Sequence, residues 1–384
     1  MSIDPEQMQY IEKAFEFNKN KIIESYYDSF LKDFATLPRL DYDFLLKNLP
    51  STRKSTSKTA IKHLKIAFKE GNLNLVLGAG ISSKFGIPTW DYLLQRLLLK
   101  TIEEKPEKAI ILSKIFTKLF KPSPLIAGRY LQESFKDNKD ANKFEKEVRN
   151  ALYDSYNDNV NSAIMDEIVK LCVAPGSNPN LDGIITYNYD DIIESRLNKT
   201  HMDVPFQSIY GQGINPDNKS LAIYHVHGFL PKEGKIDKHN SVTLGEFVYH
   251  EQYNKIYSWN NIVQINKFRD KTCLFFGTSL SDPNIRRLLD IANSQKNNNK
   301  YHYILKMSPK RQWISERLTK ILDDSQELNA ENEKMKIELA DIIDFLIKFQ
   351  NRFEEKDSES LGVKTVWIDD YDRDISDILK KIRE

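Results

Sequence analysis

Leu73-Asn74-Leu75-Val76-Leu77 runs directly into Gly78-Ala79-Gly80-Ile81-Ser82, and then through Gly86-Ile87-Pro88-Thr89-Trp90 into a helical stretch. A short apolar run that ends at a glycine turn and passes into a helix is how a nucleotide-binding α/β sheet opens. Upstream, Ile61, Leu64, Ala67 and Phe68 have helical spacing, and Gly71 is placed to end that helix. Downstream, Gly183-Ile184-Ile185-Thr186 ends in Tyr187-Asn188-Tyr189-Asp190 and passes into a helical pattern over 191–197. Residues 221–228 and 271–277 are two further strands with glycines at their tips, and 301–306 and 363–368 supply late strands. The order predicts an α/β fold: a three-layer, Rossmann-like, doubly wound parallel sheet with a helical insertion and an N-terminal helical arm.

The remaining chain is divided around that core. Residues 1–56 form the arm: Asp4-Pro5-Glu6-Gln7 is a helix start, and nine aromatics within residues 1–50 must pack on something. Within this region 51–58 reads as a polar linker. The core occupies 57–100 and 171–308, interrupted by a helical insertion at 101–170, and 361–384 supply its final strand and helix after a charged helical segment at 309–360. The 56 basic and 55 acidic residues nearly cancel, so bulk charge draws the chain to neither nucleic acid nor an anionic membrane. There is no signal peptide pattern at the start and no apolar run long enough for a membrane span, so a cytoplasmic location is expected. Cys172 and Cys273 are the two cysteines, which excludes a zinc ribbon or a disulfide framework.

Chemistry concentrates at the strand tips. Gly78-Ala79-Gly80 lacks the third glycine of the dinucleotide fingerprint, but its bare backbone suits an approaching pyrophosphate, and a following helix N-terminus favours negative charge. The same turn would equally serve with no ligand. Asn188 and Asp190 fall on one side if the strand extends through them, and an amide can hold ribose hydroxyls or a water without adding charge; the alternative is an Asx-type turn. His227, before Gly228, is a candidate general base near neutral pH. His225 shares its side only if the strand alternates regularly, and a kink would separate the two. Gly277-Thr278-Ser279 offers hydroxyls and a close backbone for a second phosphate or ribose contact, and Ser281-Asp282-Pro283-Asn284 caps a helix.

In this order the motifs resemble the sirtuin (silent information regulator) family, and more closely its bacterial anti-phage branch of NAD-hydrolysing effectors. The resemblance spans about residues 73–305, with 363–368 as the final strand. It implies an NAD glycohydrolase that releases nicotinamide and leaves ADP-ribose. Asn188 and His227 would be catalytic, with Asp190 orienting their network. Gly78, Ala79, Gly80, Ser82, Thr186, Gly277, Thr278 and Ser279 would bind NAD, and Trp90 would shield its nicotinamide end. Deacylating sirtuins have a four-cysteine zinc module and a Gln where this chain has Tyr187, so the resemblance implies neither zinc nor peptide deacylation. It implies instead control by a protein partner such as a HerA-like ATPase or an Argonaute; separately, the arm and residues 309–356, extra to the core and amphipathic in pattern, are the candidates for subunit contacts in a homo-oligomer. An NAD-dependent protein deacylase and a non-enzymatic nucleotide sensor or assembly scaffold are the alternatives.

Overall fold

A computed structural model describes residues 53–102, 111–113, 115–116, 123–136, 140–173, 181–200, 204–217, 219–236, 239–240, 242–245, 250, 254–295, 301–324 and 339–384. The arm's predicted helix start at Asp4 lies outside the described residues. Seven strands form one sheet: β1 (Leu73–Leu77), β2 (Leu181–Thr186), β3 (Phe206–Ile209), β4 (Leu221–His225), β5 (Thr272–Phe276), β6 (His302–Met307) and β7 (Val363–Ile368). Their order is β3-β4-β2-β1-β5-β6-β7, and every neighbouring pair is parallel. The chain therefore winds outward in one direction from β1 through β2, and in the other from β1 through β5. The switch point lies at the carboxyl ends of β1, β2 and β5, where such sheets bind ligands.

Parallel strands must be covered on both faces, and β1 shows how its sequence meets that need. Leu73, Leu75 and Leu77 enter one core, while Val76 points into the other. Leu274 and Phe276 of β5 join the first core, and Cys273 and Phe275 the second. Helices α1 (Arg53–Lys69), α2 (Trp90–Thr101), α5 (Ala163–Cys172), α6 (Ile192–Asn198) and α11 (Tyr371–Arg383) contribute to the first core. Helices α7 (Trp259–Asp270) and α8 (Pro283–Ser294) cover the other face. Helix α11 shows the amphipathic logic plainly: Ile375, Ile378, Leu379 and Ile382 are buried at i, i+3, i+4 and i+7, and Asp370 caps its start.

Helices α3 (Pro124–Ser134) and α4 (Lys143–Tyr153) lie in the stretch read as an insertion, whereas α5 packs against α11 as part of the layer. Beyond β6 come α9 (Arg311–Asp324) and the long α10 (Leu339–Ser360). Two sequence expectations need correction. The polar run 51–58 is not a linker from Arg53 onward, because α1 begins there; polar residues carry only a small helix penalty, which a following amphipathic stretch overrides. The strand predicted over 221–228 ends at His225, where Gly228 with φ +110° turns the chain away from the sheet. Among the described residues no helix is long and apolar enough to cross a membrane.

Candidate active site

A cleft of about 930 Å³ opens across the switch point. Gly78, Ala79, Gly80, Trp90, Asn188, His227, Gly277, Thr278 and Ser279 all line it, brought together from five separate parts of the sequence. Ser82, Thr186 and Asp190, the other predicted site residues, are buried behind this wall.

The glycine turn is built differently from the sequence expectation. Its amides are largely committed within the chain: Gly78 N–H donates to Phe276 O (3.2 Å), Gly80 N–H to Gly277 O (3.0 Å), Ile81 N–H to Gly78 O (3.2 Å) and Ser82 N–H to Ala79 O (3.2 Å). A Cβ on Gly78 would stand 2.5 Å from Gly277 O, and one on Gly80 would stand 2.5 Å from the Tyr371 hydroxyl and 2.8 Å from Gly277 Cα. The glycines are needed because the tips of β1 and β5 interlock backbone against backbone. The segment after the turn also differs from the expected helix. It forms two short 3₁₀ turns, Ala79–Ile81 and Ser83–Phe85, and α2 starts only at Trp90. The helix N-termini that line the cleft include that of α2, through Thr89, Trp90 and Asp91, and that of α8, through Asp282 and Pro283.

Asn188 follows the end of β2, in a loop and not in an extended strand, so strand alternation does not pair it with Asp190. A hydrogen-bond chain does. Asn188 Nδ2 donates to Gly78 O (3.1 Å) and to Ser82 Oγ (3.0 Å), and Ser82 Oγ donates to Asp190 Oδ1 (3.0 Å). A carbonyl can only accept, so Gly78 O dictates which end of the amide faces inward. With both amide hydrogens used, Asn188 presents its carbonyl Oδ1 to a ligand in the cleft. Asp190 Oδ1 also accepts from Ile192 N–H (3.2 Å), closing an Asx-type turn at the start of α6. Burial pushes the Asp190 carboxyl up to about 6, because its ionised form has lost its water.

His227 and His225 are separated by the turn at the end of β4. His227 lines the cleft, its ring 4.7 Å from Tyr187 in an edge contact, and its backbone oxygen accepts from Thr243 N–H (2.7 Å). Burial holds the imidazole below its ordinary pKa of 6.5, so it is neutral and able to accept a proton at pH 7. Tyr187 completes this wall, with its hydroxyl bonded to Gln264 on α7. Asn260 on the same helix donates to Val226 O (3.1 Å), so the polar face of α7 braces the β4 tip. His225 points inward, with no exposed surface.

Sequence reasoning missed part of the lining of the cleft. Lys306 and Met307 at the tip of β6, Trp367 on β7, Tyr371 on α11, and Gln350 and Glu354 on α10 line it. Lys306 pairs with Glu354, and its Nζ also reaches Ser358 Oγ (3.2 Å), joining the charged helical segment to the site. The one sequence signal was Lys306 at the end of a predicted strand. Both cysteines are buried, and burial pushes the Cys172 thiol up to about 12. Among the described residues no three His, Cys, Asp or Glu side chains gather where a metal ion could be held.

Residues 182–338 match the SIR2-like domain family, a range that contains Asn188, Asp190, His227 and the Gly277-Thr278-Ser279 turn. The chain carries a SIR2-like domain. Its architecture explains why β1 is part of the same unit although it precedes the matched range: Asn188 of the domain bonds directly to the glycine turn of β1. The chain is also 23% identical over 334 residues to the NAD(+) hydrolase ThsA of Enterococcus faecium, a match that covers 85% of this chain and 58% of that relative. It thus spans little more than half the length of the relative that it matches.

Proposed function

We propose that the SIR2-like domain is an NAD glycohydrolase, adding water across the bond between nicotinamide and ribose to give nicotinamide, ADP-ribose and a proton. The observation that carries this reading is the juxtaposition, in one cleft at the switch point, of the Asn188 carbonyl and the neutral His227 imidazole. Departure of nicotinamide leaves positive charge on the ribose carbon. An amide carbonyl can stabilise that centre indirectly, by accepting from a ribose hydroxyl or from the attacking water, without competing as a nucleophile. Burial of His227 leaves it neutral and ready to take a proton from the water or from a ribose hydroxyl as the new bond to carbon forms. Ser82 and Asp190 act behind the wall by fixing the Asn188 amide. Gly277, Thr278 and Ser279, which line the cleft, meet the phosphates or ribose, and Trp90 shields the nicotinamide end.

The resemblance to NAD-hydrolysing defence effectors, together with similarity to a named NAD(+) hydrolase, supports a role in cytoplasmic anti-phage defence by NAD depletion. An enzyme that empties a cell of NAD must be restrained until needed, which favours control by a protein partner, with a HerA-like ATPase or an Argonaute as the candidates. Exposed Trp313 on α9 and Phe349 and Phe353 on α10 support subunit contacts through the helical segment in a homo-oligomer. The test is incubation of the purified chain with NAD, alone and with the products of neighbouring genes. Nicotinamide and ADP-ribose should appear in equal amounts. NAD binding without turnover under every condition would point to the sensor reading, and release that depends on an acylated peptide would point to a deacylase.

A further inference from the structure

The proposed chemistry uses His227 and leaves His225 idle, yet His225 is bound at both ring nitrogens beneath the catalytic loop. Its Nε2 lies 2.7 Å from Glu194 Oε1, and its Nδ1 lies 3.2 Å from the backbone oxygen of Asn188. The same Glu194 oxygen accepts from Ser208 Oγ on β3 (2.8 Å), and the Phe229 ring stands 4.2 Å from the His225 ring. Burial alone would raise the Glu194 carboxyl, but His225 and Ser208 outweigh it and hold Glu194 below its ordinary value, so it is ionised. A carboxylate and a backbone carbonyl both only accept, so both contacts are hydrogen bonds only with a proton on each ring nitrogen. The ionisable groups facing the ring are Glu194, from α6, and Asp190, from the loop.

We propose that His225 is a positioning residue for Asn188: Glu194 holds it as an imidazolium, and its Nδ1–H anchors the Asn188 backbone carbonyl and so fixes the aim of the side-chain amide into the cleft. The inference rests on the glycohydrolase reading for its catalytic purpose. Among the described residues Asn188 is otherwise tied on its other side, by its own amide on Gly78 O and Ser82 Oγ and by its N–H on Thr186 Oγ1 (3.1 Å). Tyr187 N–H still donates to Leu77 O of β1 (3.0 Å), but residues 188–190 have left the β2 ladder, so a contact at the Asn188 backbone carbonyl replaces the strand bond that would have held the backbone there. An amide free to rotate by a few tens of degrees would still bind ribose but would orient the water poorly, which is the signature of a loss in kcat and not in affinity.

The test uses the full chain. In ligand-free protein labelled with ¹⁵N-histidine at pH 7, one histidine should show both ring nitrogens protonated, and that signal should vanish in His225→Gln. His225→Ala leaves a hole beside a buried carboxylate and endangers the fold, so the decisive variant is the nearly isosteric Glu194→Gln, with its melting temperature recorded. In Glu194→Gln kcat for NAD should fall at least tenfold at pH 8 while KM stays within twofold. A neutral His225 in the wild type overturns the inference, as does a Glu194→Gln variant with the wild-type kcat, or one that loses kcat and KM together in step with melting. A wild-type chain that shows the doubly protonated ring but never releases nicotinamide would instead count against the glycohydrolase reading, and would remove the catalytic purpose assigned to His225.

Discussion

Replacing Asp190 with asparagine tests the buried network through a quantity that its geometry specifies. Asp190 is buried, with Oδ1 accepting from Ser82 and Ile192, and Oδ2 finding no partner among the described residues. Burial raises its carboxyl from 3.8 to about 6. A raised carboxyl means that the folded chain holds its proton more tightly than the unfolded chain. The stabilising contribution is therefore complete below pH 4 and is lost as the pH rises through the window up to about 6. A gap of about two pKa units corresponds to about 3 kcal/mol between acid and pH 8. The amide of Asp190→Asn cannot ionise, so the variant escapes this loss; any fixed cost of its extra N–H group is the same at every pH and cancels from the comparison. Glu194, whose carboxyl is held low, contributes the opposite slope in both chains and also largely cancels. Urea unfolding of both chains from pH 4 to pH 8 should show Asp190→Asn gaining about 2 to 3 kcal/mol on the wild type. Because the amide oxygen of the variant can still accept from Ser82, turnover of NAD should stay within about tenfold of wild type. A difference in stability that is flat across this range would show that water reaches Asp190, and that the network behind Asn188 is not the dry one described here.

Other changes separate chemistry from scaffolding. Asn188→Ala should cost about 2 to 4 kcal/mol in the transition state, read as a fall in kcat with little change in NAD affinity by calorimetry. His227→Ala should abolish nicotinamide release without unfolding the chain, and the acid limb of wild-type activity should lie below pH 6.5, because burial holds His227 below its ordinary value. Gly78→Ala should lower stability and activity together in thermal melts and turnover assays, since its Cβ would meet Gly277 O at 2.5 Å in a contact between two backbones that neither can relieve by a rotamer change.

How much of this was legible depended on whether the signal was local. The run from Leu73 to Leu77 ending in Gly78-Ala79-Gly80 marked β1 and the switch point, because a continuous apolar strand and a glycine turn are both written in adjacent residues. Strand β3 was missed because Phe206-Gln207-Ser208-Ile209 is short and half-buried at the sheet edge. The glycines of the first turn stood out, but their reason did not, since it depends on Gly277 about two hundred residues later. Likewise, the bond from Ser82 to Asp190 joins residues 108 positions apart, and it alone shows that Asp190 supports the site from behind. Glu354 and Gln350 gave no signal, because on a charged helix they look like any solvated face.

The most direct test of the proposed chemistry is the product analysis of NAD incubated with the purified chain and its neighbouring gene products, resolved by mass, with Asn188→Ala and His227→Ala run alongside. The expected result is stoichiometric nicotinamide and ADP-ribose from the wild type, none from His227→Ala and far slower release from Asn188→Ala. Unchanged products from either variant, or intact NAD from a wild-type chain that binds it under all those conditions, would contradict the assignment of the chemistry to this cleft.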